Sequence, residues 1–371
     1  MRGATGRLLL EFSSALSEEG YDVTVLTTGR KASISRDKFG IEIIRVKTSA
    51  NARSMFSNFV ISMKLFLKAL FMARPDVIIT KTDPPLFVIF GSWLAFLKRT
   101  KHIHWCQDLY PDILPALNYR TSSLTYKIMD SLSSKALRKC QHVVTIASCM
   151  RDNLLKKGLS EDKVTIIPNW YDGVLNKDAD QPKQEELPMK FRILYAGNMG
   201  RAHPAETLFQ AAEILHETDP DIEFLFVGNS PRIQSMAIER SRKGMENIRF
   251  LPFQPRRKLR PLLESGDIHL ISMSEDATGC ILPSRIYDIF EIQRPCIFVG
   301  PATSELSIIL DDYQAGITIP QGQGELLANA IRHLRDHGED WCTLYEGAGE
   351  ARKVFTPQGS LELWKEVLKD I

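Results

Sequence analysis

Short β-branched and aliphatic runs alternate along this chain with longer stretches whose apolar positions recur every three or four residues. Strands are expected over residues 22–27, 41–46, 77–80, 102–105, 142–146 and 164–167, and again over 191–196, 222–227, 248–251, 268–272, 296–299 and 317–319. Helical spacing fills the intervals, so each run reads as one step of a parallel βαβ series. Residues 171–189, rich in Asp, Lys, Gln, Glu and Pro, read as a linker. The chain thus divides into two doubly wound α/β domains, 1–170 and 190–355, with a last helix over 356–371 expected to pack back on the first. Such sheets bind ligands at the carboxyl ends of their strands, so a cleft between facing domains is the expected site.

The series begins out of phase. Leu8, Phe12, Ala15 and Leu16 lie on one side of a helix over residues 4–19, where a doubly wound domain ordinarily opens on a strand. The first strand of the N-terminal domain is therefore expected to be missing, which would leave its neighbours without a hydrogen-bonding partner. A second helix, over 53–74, is apolar on more than one face and carries Lys64 and Lys68. The apolar run at 86–97 has 12 residues and is closed by Lys98, Arg99 and Lys101. That is short of the ~20 residues a membrane span needs. A buried helix pair and a basic membrane-facing patch are both consistent with this pattern.

Composition narrows the function classes. With 47 basic and 45 acidic residues, the net charge of +2 points to no nucleic-acid partner. Cys106, Cys140, Cys149, Cys280, Cys296 and Cys342 show no CxxC spacing, so neither a disulfide framework nor a metal site is expected, and a cytoplasmic location fits.

The candidate chemistry lies in two strand-to-helix turns. The first, Gly197-Asn198-Met199-Gly200-Arg201, follows the strand at 191–196. A helix N-terminus offers unpaired N–H donors, glycines admit phosphates to the backbone, and Arg201 adds a fork of donors. An ordinary βα turn would look the same. A dinucleotide site would need a third glycine and an acid after the next strand, where this chain has Gly228-Asn229-Ser230. The second turn, residues 278–288, places Ser284 as an N-cap, Arg285 in the first helical turn and Asp288 one turn on. A basic residue there opposes the helix dipole, so Arg285 calls for an anion in front of it. Two such turns would clamp a diphosphate while Asp288 accepts from ribose hydroxyls. Alternatively, Arg285 pairs with a carboxylate and Asp288 serves the helix start. No cluster of carboxylates suggests a metal.

Four motifs occur in order: Tyr-Ala-Gly-Asn-Met-Gly-Arg at 195–201, Phe-Val-Gly at 226–228, Leu-Pro-Phe-Gln-Pro at 251–255 and Pro-Ser-Arg-Ile-Tyr-Asp at 283–288. Gly-Ala-Thr-Gly-Arg at 3–7, Thr-Asp-Pro-Pro at 82–85 and Gln-Asp-Leu-Tyr-Pro at 107–111 accompany them. The set resembles retaining family-4 glycosyltransferases of the GT-B fold, in the branch that builds bacterial surface polysaccharides such as colanic acid and O-antigen. The resemblance implies two facing Rossmann-like domains and metal-free, cofactor-free sugar transfer. The donor would be a nucleotide diphosphate sugar, uridine-linked by preference, and the acceptor a glycan on a polyprenyl diphosphate. It further implies a cytoplasmic protein, peripheral on the inner face of the cytoplasmic membrane.

Residue by residue, it assigns Gly200, Arg201, Ser284 and Arg285 to the diphosphate, with Gly197, Asn198 and Pro283 also in the donor site. Phe253 falls to the nucleobase and Asp288 to the ribose. Gln107 and Asp108, just past the strand at 102–105, fall on the catalytic side, with Arg201 and Arg285 stabilising charge on the leaving diphosphate. Where relatives carry a glutamate this chain has Cys280, and where many carry histidine it has Gln107, whose amide cannot titrate. In the retaining mechanism implied, the leaving phosphate takes the acceptor's proton, and Asp108 orients the acceptor hydroxyl or the donor sugar. His104 is an alternative catalytic group, and His203 would supply charge only if protonated. A donor-binding protein with weakened catalysis and a nucleotide-sugar 2-epimerase remain as rival readings.

Overall fold

The computed structural model of the protein describes residues 4–48, 54–171, 175 and 190–371. In the N-terminal half the order is α1 (Ala4–Glu18), β1 (Thr24–Gly29), β2 (Ser33–Arg36), β3 (Glu42–Lys47), α2 (Met55–Leu70) and β4 (Val77–Lys81), then α3 (Phe87–Lys98), β5 (Lys101–Cys106), α4 (Leu124–Lys139), β6 (His142–Thr145), α5 (Ser148–Lys156) and β7 (Val164–Ile166). Its strands form two sheets, β1–β3–β2 and an all-parallel β4–β5–β6–β7, and among the described residues no ladder joins one sheet to the other.

The C-terminal half begins with β8 (Phe191–Ala196), α6 (Glu206–Thr218), β9 (Ile222–Val227), α7 (Pro231–Lys243), β10 (Ile248–Leu251), α8 (Leu259–Glu264) and β11 (Ile268–Ser272). It continues with α9 (Arg285–Glu291), β12 (Cys296–Val299), α10 (Glu305–Asp312), β13 (Gly316–Ile319), α11 (Gly324–Asp336), α12 (Gly338–Val354) and α13 (Pro357–Lys369). Its six strands are parallel in the order β10–β9–β8–β11–β12–β13. The chain winds outward in opposite directions from β8 and β11, so a crevice opens at their carboxyl ends.

All twelve expected strands are present, each end within two residues of the expected position. Their apolar runs mark them because both faces are covered: every residue of β9, β11 and β12 is buried. The strand the pattern missed is β2, Ser-Ile-Ser-Arg, an exposed antiparallel edge with no buried face to leave a signature. The expected linker falls largely outside the described residues. Several helix starts are capped by serine: Ser54, Ser123, Ser230 and Ser304 each accept a backbone N–H of the following helix through the side chain.

Helix α13 returns to the N-terminal half. Trp364 is fully buried, with ring centroids 4.7 Å from Phe12 of α1 and 5.0 Å from Trp105 of β5, and Ser360 Oγ donates to the Pro168 carbonyl at 2.8 Å. The N-terminal core therefore includes a segment from the far end of the chain. Trp364→Ala is expected to destabilise that half by about 3–5 kcal/mol, measured by denaturant unfolding. A change below about 1 kcal/mol would mean that α13 is an appendage.

Candidate active site at the cleft between the halves

The chain leaves β8 at Ala196 and turns at Gly197, where φ is +138° and a Cβ would stand 3.0 Å from Arg285 Nη2. Gly197 N–H donates to the Val227 carbonyl at 2.8 Å. Gly228 must also lack a side chain, because a Cβ there would meet the Gly197 carbonyl oxygen at 2.6 Å. Both glycines thus permit close approach, and what approaches Gly197 is an arginine. The Arg285 guanidinium lies 4.5 Å from the Tyr195 ring centroid, and its Nη2 donates to the Asn198 carbonyl at 3.2 Å. Its Nη1 is buried with no hydrogen-bond partner among the described residues. An orphaned cationic donor is costly unless an anion meets it.

Two details depart from the expected geometry. Ser284 occupies the N-cap position of α9 in the helical region, with φ −63° and ψ −14°, and its side chain makes no capping bond. A capping side chain ordinarily needs the extended backbone conformation. The Ser284 hydroxyl is thus not committed to its own helix. Arg201 is not at a helix mouth: α6 begins at Glu206, and Arg201 sits exposed on the preceding loop, donating from Nη1 to the Leu117 carbonyl of the other half at 3.1 Å. Glu206 accepts the Ala205 N–H at 2.9 Å at that helix start.

Between β8, β11 and α9 lies a cavity of about 130 Å³, with Gly197, Phe253, Gln254, Arg285 and Asp288 on its wall alongside leucines of α8. It has room for roughly four water-sized groups. The structure thus brings together Gly197, Phe253, Arg285 and Asp288. Asn198 contributes its carbonyl to Arg285, while Gly200 lies in the loop leading to Arg201 and Pro283 just precedes the start of α9.

On the opposite side, Thr82 Oγ1 accepts the backbone N–H of Gln107 at 3.0 Å and of Asp108 at 3.3 Å, fixing the turn after β5. The Gln107 side chain is buried in a reciprocal amide pair with Asn169, Nε2 to Oδ1 at 2.8 Å and Nδ2 to Oε1 at 2.9 Å. Both ends of that amide are in use, so Gln107 braces the turn instead of facing a substrate. Burial, reinforced by Asp83, pushes the Asp108 carboxyl up to about 6, while Lys81 opposes the shift. Burial likewise pulls the Lys81 ammonium down to about 7, opposed by Asp83 and Asp108, and its Nζ lies 3.7 Å from the Trp105 ring centroid.

Lys81, Asn169 and Tyr195 were not singled out from sequence. Tyr195, Thr82 and Asp83 lay in noted motifs, whereas nothing local marks Lys81. His104 is buried, bonded to Thr80 at 2.9 Å and pulled by burial down to about 3, so it stays neutral within a core network. Burial also holds His203 at about 4, helped by Arg285 nearby, and its ring meets the Ser272 carbonyl. It brings no charge to the site at neutral pH. Cys280 is buried in the seam, its thiol pushed up to about 12 by burial.

The halves meet through the main chain. Leu109 N–H donates to the Cys280 carbonyl at 2.8 Å, and Asn153 Nδ2 to the Gly279 carbonyl at 3.2 Å. Ser148 donates its N–H to Glu305 Oε2 at 2.8 Å and its hydroxyl to the same oxygen. Asp108 is thereby anchored opposite the loop that carries Arg285. Among the described residues no three His, Cys, Asp or Glu side chains converge as a metal site.

Comparison with known proteins follows the two halves. Residues 5–173 match the sequence model of Glycosyltransferase Family 4, and residues 190–337 match that of Glycosyl transferases group 1. WcaI of Escherichia coli (strain K12), named for colanic acid biosynthesis glycosyl transfer, is 28% identical over 274 residues, which cover 70% of this chain and 66% of that protein. WbjE of Pseudomonas aeruginosa, named as a glycosyltransferase, is 22% identical over 295 residues, covering 77% and 72%. Among solved structures, Anabaena Alr3699/HepE in complex with UDP superposes with a TM-score of 0.74 at 13% identity, covering 100% of this chain and 97% of that one. WaaG, a glycosyltransferase involved in lipopolysaccharide biosynthesis, gives 0.68 at 14%, covering 98% and 95%.

Gly197 tests the local geometry directly. Gly197→Ala is expected to destabilise the protein by more than about 1 kcal/mol, through the positive φ and displacement of Arg285, and to weaken its affinity for inorganic pyrophosphate. Unchanged melting temperature and unchanged pyrophosphate affinity would show that the turn tolerates a side chain.

Proposed function

The chain is built as a glycosyltransferase of the GT-B fold, and from that premise we propose that it moves a sugar from a nucleotide diphosphate donor onto a glycan acceptor in surface polysaccharide assembly. The observation that carries the donor reading is Arg285: stacked on Tyr195, tied to the Asn198 carbonyl and left with a buried, unmatched Nη1 beside Gly197. A diphosphate oxygen supplies the missing acceptor. Arg201, Gly200 and the uncommitted Ser284 hydroxyl complete the cradle, and no metal is required because the two guanidiniums carry the charge.

The nucleobase enters the cavity beside Phe253, and Asp288 accepts from ribose hydroxyls. Uridine is the preferred base: HepE has been solved with UDP and with UDP-glucose, and the pneumococcal O-GlcNAc transferase GtfA with UDP and GlcNAc. The acceptor is a glycan on a polyprenyl diphosphate, a reading supported by the surface-polysaccharide names of the relatives. Transfer proceeds with retention: the departing phosphate takes the acceptor's proton on the face it leaves, the sugar–phosphate bond breaks as the new glycosidic bond forms on that same face, and Asp108 orients the acceptor hydroxyl or the donor sugar. Since Gln107 is tied to Asn169, no base is drawn from that position. A donor-binding protein without turnover is the rival reading, favoured by that same pairing and by the burial of Cys280. Donor consumption in the presence of membrane extract, followed by mass spectrometry over a panel of nucleotide sugars, separates the two.

Arg201→Ala and Arg285→Ala are each expected to weaken UDP binding by about 1.5–3 kcal/mol with the fold intact. Unchanged calorimetric affinity in both would remove the clamp. Asp108→Asn is expected to lower kcat more than donor affinity. A carboxyl raised to about 6 is protonated below that pH and ionised above it, so wild-type kcat should rise through about pH 6 and the variant should lose that limb. An unaltered acidic limb in the variant would assign the titration to another group.

A further inference from the structure

We propose that Lys81 is a positioning residue for the reaction: its ammonium, seated on the Trp105 indole, orients the Asp108 carboxylate and offsets its charge. β4 and β5 are parallel neighbours with Lys81 and Trp105 in register, so both side chains project from the same face of the sheet. Lys81 ends β4 at 9% exposure, and its Nζ stands 3.7 Å from the Trp105 ring centroid. The indole is fixed in turn, with the ring centroids of Trp364, Phe12 and Trp170 at 5.0, 5.3 and 6.2 Å. On the opposite face Thr80 bonds His102 and His104, so the sheet separates the imidazoles from the ammonium.

Burying an ammonium is costly, and a methionine on the same indole would pack without that cost. The carboxyls that act on Lys81 account for a cation there: Asp83 first, from the turn after β4, and Asp108 second, from the turn after β5. Thr82, between Lys81 and Asp83, accepts the N–H groups of Gln107 and Asp108 and so ties the two turns together. Thr82 thus holds the backbone of Asp108, and Lys81 acts on its carboxyl. Other groups around that carboxyl are uncharged or engaged elsewhere. Burial pushes Tyr110, and Cys280 of the opposite half, up to about 12, and raises Cys106 as well. Asp112 pairs with Lys157 at 2.9 Å, and on α1 Glu11 lies 3.9 Å from Arg7 and accepts from Trp170 Nε1 at 2.6 Å. Among the described residues, Lys81 and Asp83 are therefore the charges that Asp108 meets. One cation between two carboxylates leaves a single negative charge, the state that accepts a hydroxyl's hydrogen. It exists in a narrow window, because Asp108 gains a proton below about pH 6 and Lys81 loses one above about pH 7.

What Asp108 does here rests on the sugar-transfer reading, whereas what holds it is tested without turnover. The full chain is labelled with carbon-13 at lysine Cε, or separately at aspartate Cγ, and titrated by NMR. One lysine is expected to titrate near pH 7, far below the ordinary value of about 10.4, and to vanish in Lys81→Met. In that variant the Asp108 signal, identified by its loss in Asp108→Asn, should titrate higher by about one unit or more, because an opposite charge has gone. Lys81→Arg keeps the charge and should hold Asp108 near its wild-type value. Asp83→Asn, a change at an exposed position, should move the lysine step below pH 7, and it decides the matter if Lys81→Met does not fold. In turnover with membrane extract, wild-type kcat should fall on both sides of the window. Lys81→Met should carry the acidic limb upward and Lys81→Arg should lose only the alkaline limb, both with unchanged UDP affinity. An Asp108 titration indifferent to Lys81→Met, or a lysine step indifferent to Asp83→Asn, would overturn the proposal. So would unmoved kcat limbs in Lys81→Met once the NMR shifts are seen. A wild type that shows those shifts and forms no product would instead count against sugar transfer, with Lys81 still the group that holds Asp108.

Discussion

The main-chain hydrogen bond from Leu109 to the Cys280 carbonyl is the constraint on which the cleft depends. Leu109 follows Asp108, and Cys280 precedes Arg285 by five residues, so one short bond sets the carboxylate of one half against the arginine loop of the other. The bond is embedded in an apolar cluster to which Leu109, Ile113 and Ala116 contribute from one side and Ala277, Cys280 and Leu282 from the other. Removing water from the seam strengthens the bond and raises the cost of leaving either group unpaired. The same dry surroundings act on Asp108, whose carboxyl is pushed up to about 6 by burial first and by Asp83 second. The packing that joins the halves also sets the protonation of the group between them.

Much of this was legible along the chain because the governing signals were local. Strands buried on both faces leave apolar runs, and the C-terminal strands from β8 to β12 fall on the expected residues. The turn at Gly197 was legible as a place of close backbone approach because glycine and strand are contiguous, although what approaches it in the structure is Arg285. What was not legible depends on distance in sequence. The Asn198 carbonyl that holds Arg285 lies 87 residues away, and the Asn169 that immobilises Gln107 lies 62 residues away. Nothing in the local pattern of Gln107 foretells that both ends of its amide are taken. Ser284 illustrates a different limit: residue type suited it to capping, and its backbone conformation decided otherwise.

Arg285 is held by groups of little or no formal charge. An aromatic face and one carbonyl orient the guanidinium without neutralising it, and no carboxylate pairs with it in a described salt bridge. Arg192, also in the C-terminal half, shows the contrast: it is buried against Glu223 at 2.9 Å and serves the sheet. An arginine matched to a carboxylate has its charge offset by that partner. One matched to a ring and a carbonyl keeps its full charge for a ligand.

Arg201 links that charge to the relation between the halves. Its described partner is the neutral Leu117 carbonyl, reached across the cleft at the surface. Such a bond contributes about 0.5–1.5 kcal/mol, whereas a bond to a charged phosphate oxygen contributes about 1.5–3. A diphosphate held by Arg285 therefore competes for Arg201 on favourable terms, and the exchange removes one of the few polar ties between the halves. The Leu109 bond, the Ser148–Glu305 contact and the apolar seam stay in place. On the function proposed above, donor binding would thus release a contact between the halves while the bond at Leu109 is retained. The two arginines differ in how they are held: Arg285 is fixed by a ring and a carbonyl of its own half, whereas Arg201 reaches across to the opposite half, so on the proposed function only Arg201 would have to change partner.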